Sequence, residues 1–151
     1  MSVNGNGGHY FEDLIIGMEA SYVRRVVEQD IHDFATLTGD TNPIHIDEHY
    51  ASATMFKGRI AHGALTASYI STVLGTILPG PGAIYISQSL NFRAPVRIGD
   101  EVKATARIVE LLPAKKRAIL TCHCSVDGKT VLEGEALLMV PSRQEIGRAH
   151  V

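Results

Sequence analysis

Residues 63–78 read Gly-Ala-Leu-Thr-Ala-Ser-Tyr-Ile-Ser-Thr-Val-Leu-Gly-Thr-Ile-Leu and run straight into Pro79-Gly80-Pro81-Gly82. The Pro-Gly repeat is a strong breaker, so a helix over 63–78 must stop there. Leu65, Ile70, Val73, Leu74 and Leu78 are spread round much of its surface, while Ala64, Ala67 and Gly75 allow close approach. A helix that is apolar nearly all round has to be wrapped by something. The wrapping material follows it in the chain. Residues 83–92 partly alternate. Residues 102–111 alternate cleanly, with Val102, Ala104, Ala106 and Ile108 on one face, and 116–126 alternate again. Asp127-Gly128 is a two-residue hairpin signal that leads into a last strand over 130–140. The economical packing is α+β, with a curved antiparallel β-sheet wrapped around one long central α-helix.

The part before the helix adds one strand and one amphipathic helix. Residues 20–27 mix β-branched residues with Arg24 and Arg25 and suit an edge strand. Ile31, Phe34, Ala35 and Leu37 recur at helical spacing over 29–38, and Gly39 supplies the C-terminal stop. The 151 residues, 45% hydrophobic, fit a single domain over 1–151. Loose tails are expected over about 1–8 and 142–151. A single short sheet leaves edges that invite a second copy, so a homodimer or a higher homo-oligomer is expected.

Residues 39–45, Gly-Asp-Thr-Asn-Pro-Ile-His, hold the chemistry. Asn42 and Pro43 force the chain out of the preceding helix into a stiff turn. Asp40 and His45 can then face one small volume, a pairing suited to proton transfer. The residues alone fit better with Asp40 closing a turn and His45 being an ordinary packed histidine. Asp47 is a good N-cap for a short helix, which places His45 outside that helix. His45 and His49 therefore need not share a face, and no metal is expected there. Cys122 and Cys124, two apart in a strand, point to one face and read as small apolar fillers in a reducing compartment.

Several function classes are excluded. A net charge of -2, 6% aromatics and no Trp argue against a nucleic-acid partner. The apolar stretch over 61–78 carries His62, Ser68, Ser71 and threonines and reads as a buried helix rather than a membrane span. The start of the chain, polar and rich in Gly and Asn, has no signal-peptide pattern, and a cytoplasmic location is expected.

Taken in order, Gly39-Asp-Thr-Asn-Pro-Ile-His45, then Ile60-Ala-His-Gly63 opening the long helix, then Ser-Gln-Ser-Leu-Asn-Phe-Arg-Ala-Pro-Val with Gly99-Asp100, resemble the MaoC-like (R)-specific enoyl-CoA hydratases of the hot-dog fold. The similarity covers roughly residues 20–140 and matches the short, single-unit members. It implies reversible syn hydration of a trans-2-enoyl-CoA to an (R)-3-hydroxyacyl-CoA. Asp40 and His45 match the pair that holds the attacking water. Gly63 matches a backbone N–H that hydrogen-bonds the thioester carbonyl, Ser71 a polar active-site residue, and Asn42 a support for the loop. Polyester monomer supply or fatty acid metabolism are the implied settings.

A helix N-terminus suits the charge that builds on the carbonyl oxygen, and hydration of this kind needs no metal or redox cofactor. The implied partner is an acyl-CoA thioester. A dehydratase of acyl-carrier-protein thioesters, a hot-dog thioesterase and an acyl-CoA-binding module are the alternatives. Lys57, Arg59, Arg93 and Arg97 are candidates for the anionic phosphates of CoA, or else solvated surface charges.

Overall fold

A computed structural model describes residues 7–144. The tails over 1–6 and 145–151 lie outside the described residues. Six strands form one antiparallel sheet: β1 (Glu19–Arg25), β2 (Ile84–Gln88), β3 (Asn91–Phe92), β4 (Glu101–Leu112), β5 (Arg117–Val126) and β6 (Lys129–Met139). The order across it is β1-β4-β5-β6-β2, and β3 continues the β2 edge against β6. Four α-helices precede β2: α1 (Glu28–Thr38), α2 (Pro43–Ile46), α3 (Glu48–Ser52) and the long α4 (Gly63–Thr76). The α+β expectation holds, with α4 packed on β1, β4 and β5.

The sheet admits the helix because its middle is built from small residues. Ala106, Cys122 and Gly134 stand side by side across β4, β5 and β6, and Ala104, Cys124 and Leu132 form the next row. Over these rows α4 buries Leu65, Thr66, Tyr69, Ile70, Val73 and Leu74. The Cys124 thiol reaches the Thr66 carbonyl at 3.7 Å, a contact that a larger side chain would block. Both cysteines are free and buried, as expected of apolar fillers. Burial pushes the Cys122 thiol up to about 11 and the Cys124 thiol up to about 12, so neither ionises near neutral pH.

The two sheet edges differ in chemistry. β1 is guarded by charge: Arg24 pairs with Asp30 and Arg25 with Glu101. β2 is bare, with Ile84 54%, Tyr85 42% and Ile86 39% exposed. After β2 the chain passes close over Gly134. Ser89 N donates to the Glu135 carbonyl (2.9 Å), and Glu135 N donates to Ser89 Oγ (2.9 Å). A Cβ on Gly134 would sit 1.8 Å from the Ser89 carbonyl oxygen, so only glycine lets the crossing form.

The described chain is anchored close to both of its ends. Gly8 is buried, and His9 N donates to the Pro79 carbonyl. Ser142 is fully buried; its hydroxyl donates to Glu12 (2.8 Å), and Arg143 N donates to the same carboxylate (2.9 Å). A looseness starting at 142 is therefore incorrect for 142–144. The Glu12 carboxylate collects donors that sequence periodicity does not reveal.

Candidate active site

Gly39 ends α1 in the left-handed region (φ 81), where it costs no Cβ strain, and its N–H returns to the Ala35 carbonyl. The chain then turns at once. Asp40 N donates to Thr38 Oγ1 (3.2 Å), and Asn42 N donates to Asp40 Oδ1 (3.3 Å). Asn42 Oδ1 accepts from Ile44 N (3.1 Å) and caps α2, which Pro43 opens at its first position. Asn42 is thus bonded to the turn through its backbone N–H and through its side chain. The loop over 40–45 is shorter than expected, because His45 sits in the one-turn α2. Asn42 followed by Pro43, a cap followed by a preferred first helical residue, was the signal for that turn. Asp47 caps α3 through Tyr50 N (3.0 Å), which leaves His45 outside α3 as anticipated.

His45 is only 8% exposed. Its Nδ1 lies 2.8 Å from the Ile60 carbonyl. A carbonyl can only accept, so Nδ1 carries the proton and Nε2 presents a bare lone pair. Burial pushes the His45 imidazole below its ordinary value. Nearby His62 adds to the fall, while the Ile60 carbonyl and Asp40 oppose it. At neutral pH the ring is therefore uncharged and able to accept a proton. Asp40 is exposed, and its Oδ2 has no protein partner among the described residues.

One carboxylate oxygen of Asp40 and one ring nitrogen each of His45 and His62 lie within 4.8 Å of one another. Those residue types could suggest a cation site, but the ring geometry opposes it. The two imidazoles are stacked, with centroids 3.9 Å apart and planes 30° from parallel. A metal must lie in the plane of each ring at about 2 Å from nitrogen. Planes this close to parallel do not meet that near the rings.

Gly63 opens α4, and the His62 side chain does not cap it. The first amides of the helix have no intrahelical acceptor and carry its partial positive charge. A Cβ at Gly63 would meet the Phe92 ring at 2.7 Å, so the glycine lets Phe92 approach the amide. Gly63, Thr66, Phe92, Met55, Phe56 and Ile60 are among the residues that line a mostly apolar pocket of ≈ 420 Å³. Asp40 and His45 are not among the residues that line it. Ser71 lies two turns further along α4, exposed, and does not line this pocket. Sequence spacing fixed its position on the helix but not what stands opposite.

The four basic candidates divide. Arg59 is not a surface charge: its side chain is 11% exposed. Its Nη1 donates to both Glu28 oxygens (2.8 and 3.0 Å), and its Nε donates to the His45 carbonyl (2.7 Å). It clamps α2 to the start of α1, and the Arg59 donors hold the Glu28 carboxyl below its ordinary range. Arg93 pairs with Glu133, and Arg97 donates to the Phe56 carbonyl. Lys57 is exposed, with no side-chain partner among the described residues. Local spacing missed the Arg59 clamp because Glu28 is distant in sequence.

The family model for the MaoC like domain matches residues 16–126. The chain belongs to the MaoC-like dehydratase family. An (R)-specific enoyl-CoA hydratase of Rhodospirillum rubrum is 57% identical over 135 residues, 89% of this chain and 94% of that protein. A 3-hydroxybutyryl-CoA dehydratase of Methylorubrum extorquens is 55% identical over 136 residues, 90% of this chain and 87% of the other. Among solved structures, the unliganded R-hydratase PhaJ1 of Pseudomonas aeruginosa superposes with a TM-score of 0.85 at 41% identity, covering 90% of this chain and 88% of that one. The MaoC-like chain has the hot-dog fold, with α4 as the wrapped helix. None of its described helices is long and apolar enough to cross a membrane.

Proposed function

We propose that this MaoC-like protein is an (R)-specific enoyl-CoA hydratase, a hydro-lyase that adds water reversibly across a trans-2-enoyl-CoA. The observation that carries the reading is the meeting of Asp40 and His45 within 4.8 Å, with a bare imidazole nitrogen and an unpartnered carboxylate oxygen, near an uncapped helix start. The close relatives named for this chemistry support it. In the proposed reaction, Gly63 N–H binds the thioester oxygen as it gains negative charge. Asp40 and His45 hold one water. The water oxygen bonds C3, and one of the pair takes a proton from it. The pair delivers a proton to C2 from the same face, and the enzyme ends in its starting protonation state. Asn42 keeps the loop stiff. Ser71 is about 12 Å along the helix from Gly63, too far for the reacting atoms, and is proposed as a contact for the acyl chain.

The test is loss of the conjugated thioester chromophore with crotonyl-CoA and longer homologues, run beside the same acyl groups on carrier protein. Turnover with no release of free CoA thiol is expected. Thiol release would favour a thioesterase. Fresh product should give no NADH with an (S)-specific 3-hydroxyacyl-CoA dehydrogenase; a strong signal there would overturn the stereochemistry.

The bare β2 edge supports a homodimer in which a second copy covers Ile84, Tyr85 and Ile86. Light scattering at micromolar concentration is expected to give the mass of two chains, and a single-chain mass would count against this. A cytoplasmic setting, where thiols stay reduced, fits the two free cysteines.

A further inference from the structure

The Ile60-Ala-His-Gly63 stretch contains a histidine that the reaction does not use directly. His62 is 1% exposed, among the most buried side chains in the molecule. Its Nε2 donates to the backbone carbonyl of Asp40 at 3.0 Å. Its ring lies between Phe34 of α1 (centroids 4.8 Å) and His45 of α2 (3.9 Å). Its own backbone is the residue before Gly63. One side chain therefore touches the turn that carries the carboxylate and the ring that carries the base. Its main chain leads into the amide that receives the carbonyl.

A buried imidazole is a costly choice for filling space, since a polar ring must be matched by hydrogen bonds. Here Nε2 is matched only by Asp40 O, and Nδ1 is sealed off with no partner among the described residues. Leucine or phenylalanine would fill the volume without that unpaired atom. What an apolar residue lacks is the donor to Asp40 O. Asp40 needs such an anchor because it is exposed and follows a helix end. Its other local contacts are a Thr38 hydroxyl and the Asn42 amide, both exposed to water.

We infer that His62 is a positioning residue, whose Nε2–H holds the Asp40 main chain while its ring sets the plane of His45, so that both groups reach the same water. The inference rests on the Asp40–His45 reading above. A misplacement of about 1 Å in such a constellation costs about 10²-fold in rate. The walls of the Gly63 pocket do not include His62, so binding should be spared.

The experiment compares His62→Phe, which keeps a flat ring and loses the donor, with His62→Gln, which keeps a donor at the reach of Nε2. His62→Phe should lower kcat by about 10- to 100-fold with KM changed less than about 3-fold, and His62→Gln should regain most of kcat. Unchanged kcat in His62→Phe, or equal losses in both variants, would overturn the inference. Nitrogen-15 spectra of the unaltered protein stand independently of whether either variant folds. They should show the His62 ring protonated at Nε2 with a slowly exchanging proton; the Nδ1–H form would overturn it. Asp40→Asn is assayed alongside. If it stays active, the pair reading fails whatever His62 does. If it is inactive while His62→Phe is fully active, only the positioning role fails.

Discussion

Asp40→Asn is expected to lower kcat on a short enoyl-CoA by about 10²- to 10⁴-fold, the usual worth of a general acid–base group. The substitution keeps the size of the side chain and removes the carboxylate. Its Oδ1 can still accept from Asn42 N, so the turn should hold and circular dichroism should be unchanged. His45→Ala should lose activity on a similar scale. His45 is buried, so that variant also leaves a cavity and loses the bond to Ile60, and its stability needs a separate thermal melt. In the proposed mechanism the two groups serve one water, so their losses should not multiply. The double variant is expected to be only slightly worse than the worse single one. Near-normal turnover in Asp40→Asn, or simple multiplication of the two losses, would contradict the shared-water mechanism.

Gly134→Ala is expected to be the most damaging single-methyl change in the sheet. In an ordinary strand, replacing glycine by alanine gains roughly 0.5–1 kcal/mol, because the unfolded chain loses freedom. Here the new Cβ would stand 1.8 Å from the Ser89 carbonyl oxygen and 2.7 Å from its carbon. Both are backbone atoms and cannot swing aside. Ser89 is also bonded to β6 through its N–H and its hydroxyl, so relief means pulling the β2–β3 crossing off β6. Overpacking typically costs 1–3 kcal/mol and more where the backbone must move. A loss of about 3 kcal/mol corresponds to a fall of roughly 6–12 °C in Tm for a chain of this size. A calorimetric Tm equal to or above that of the unaltered protein would show that the crossing yields easily.

Much of the architecture was legible because it rests on short-range signals. Pro79-Gly80 ends α4, Asp127-Gly128 turns β5 into β6, and alternation marks the buried face of β5 and of β4, where Thr105 on the opposite face is buried as well. Gly39 and Asp47 marked helix ends through chemistry carried within a few residues. The Asp40–His45 pair was visible for the same reason, since a proline turn brings it together over five residues. What stayed hidden depends on contacts between distant segments. Arg59 looked like a surface charge until Glu28 and the His45 carbonyl closed round it. Ser142 looked like tail until Glu12 received it. The stacking of His62 on His45 joins two segments that meet only after α3 and the 53–60 loop have folded back. A histidine inside an apolar run, just before a helix-opening glycine, was the one local trace of it.

The main chain supplies a large share of the parts that the proposed mechanism uses. Ile60 gives the carbonyl that fixes the His45 tautomer, Asp40 the carbonyl that His62 holds, His45 the carbonyl that Arg59 grips, and Gly63 an amide. No codon change removes a backbone carbonyl, and only proline removes an amide N–H. The pocket walls, by contrast, are ordinary side chains such as Met55, Phe56 and Phe92. On the proposed mechanism, genetic drift can therefore reshape the pocket while leaving the water-delivering parts untouched. Libraries randomised at those walls should yield altered acyl preferences far more often than dead enzymes.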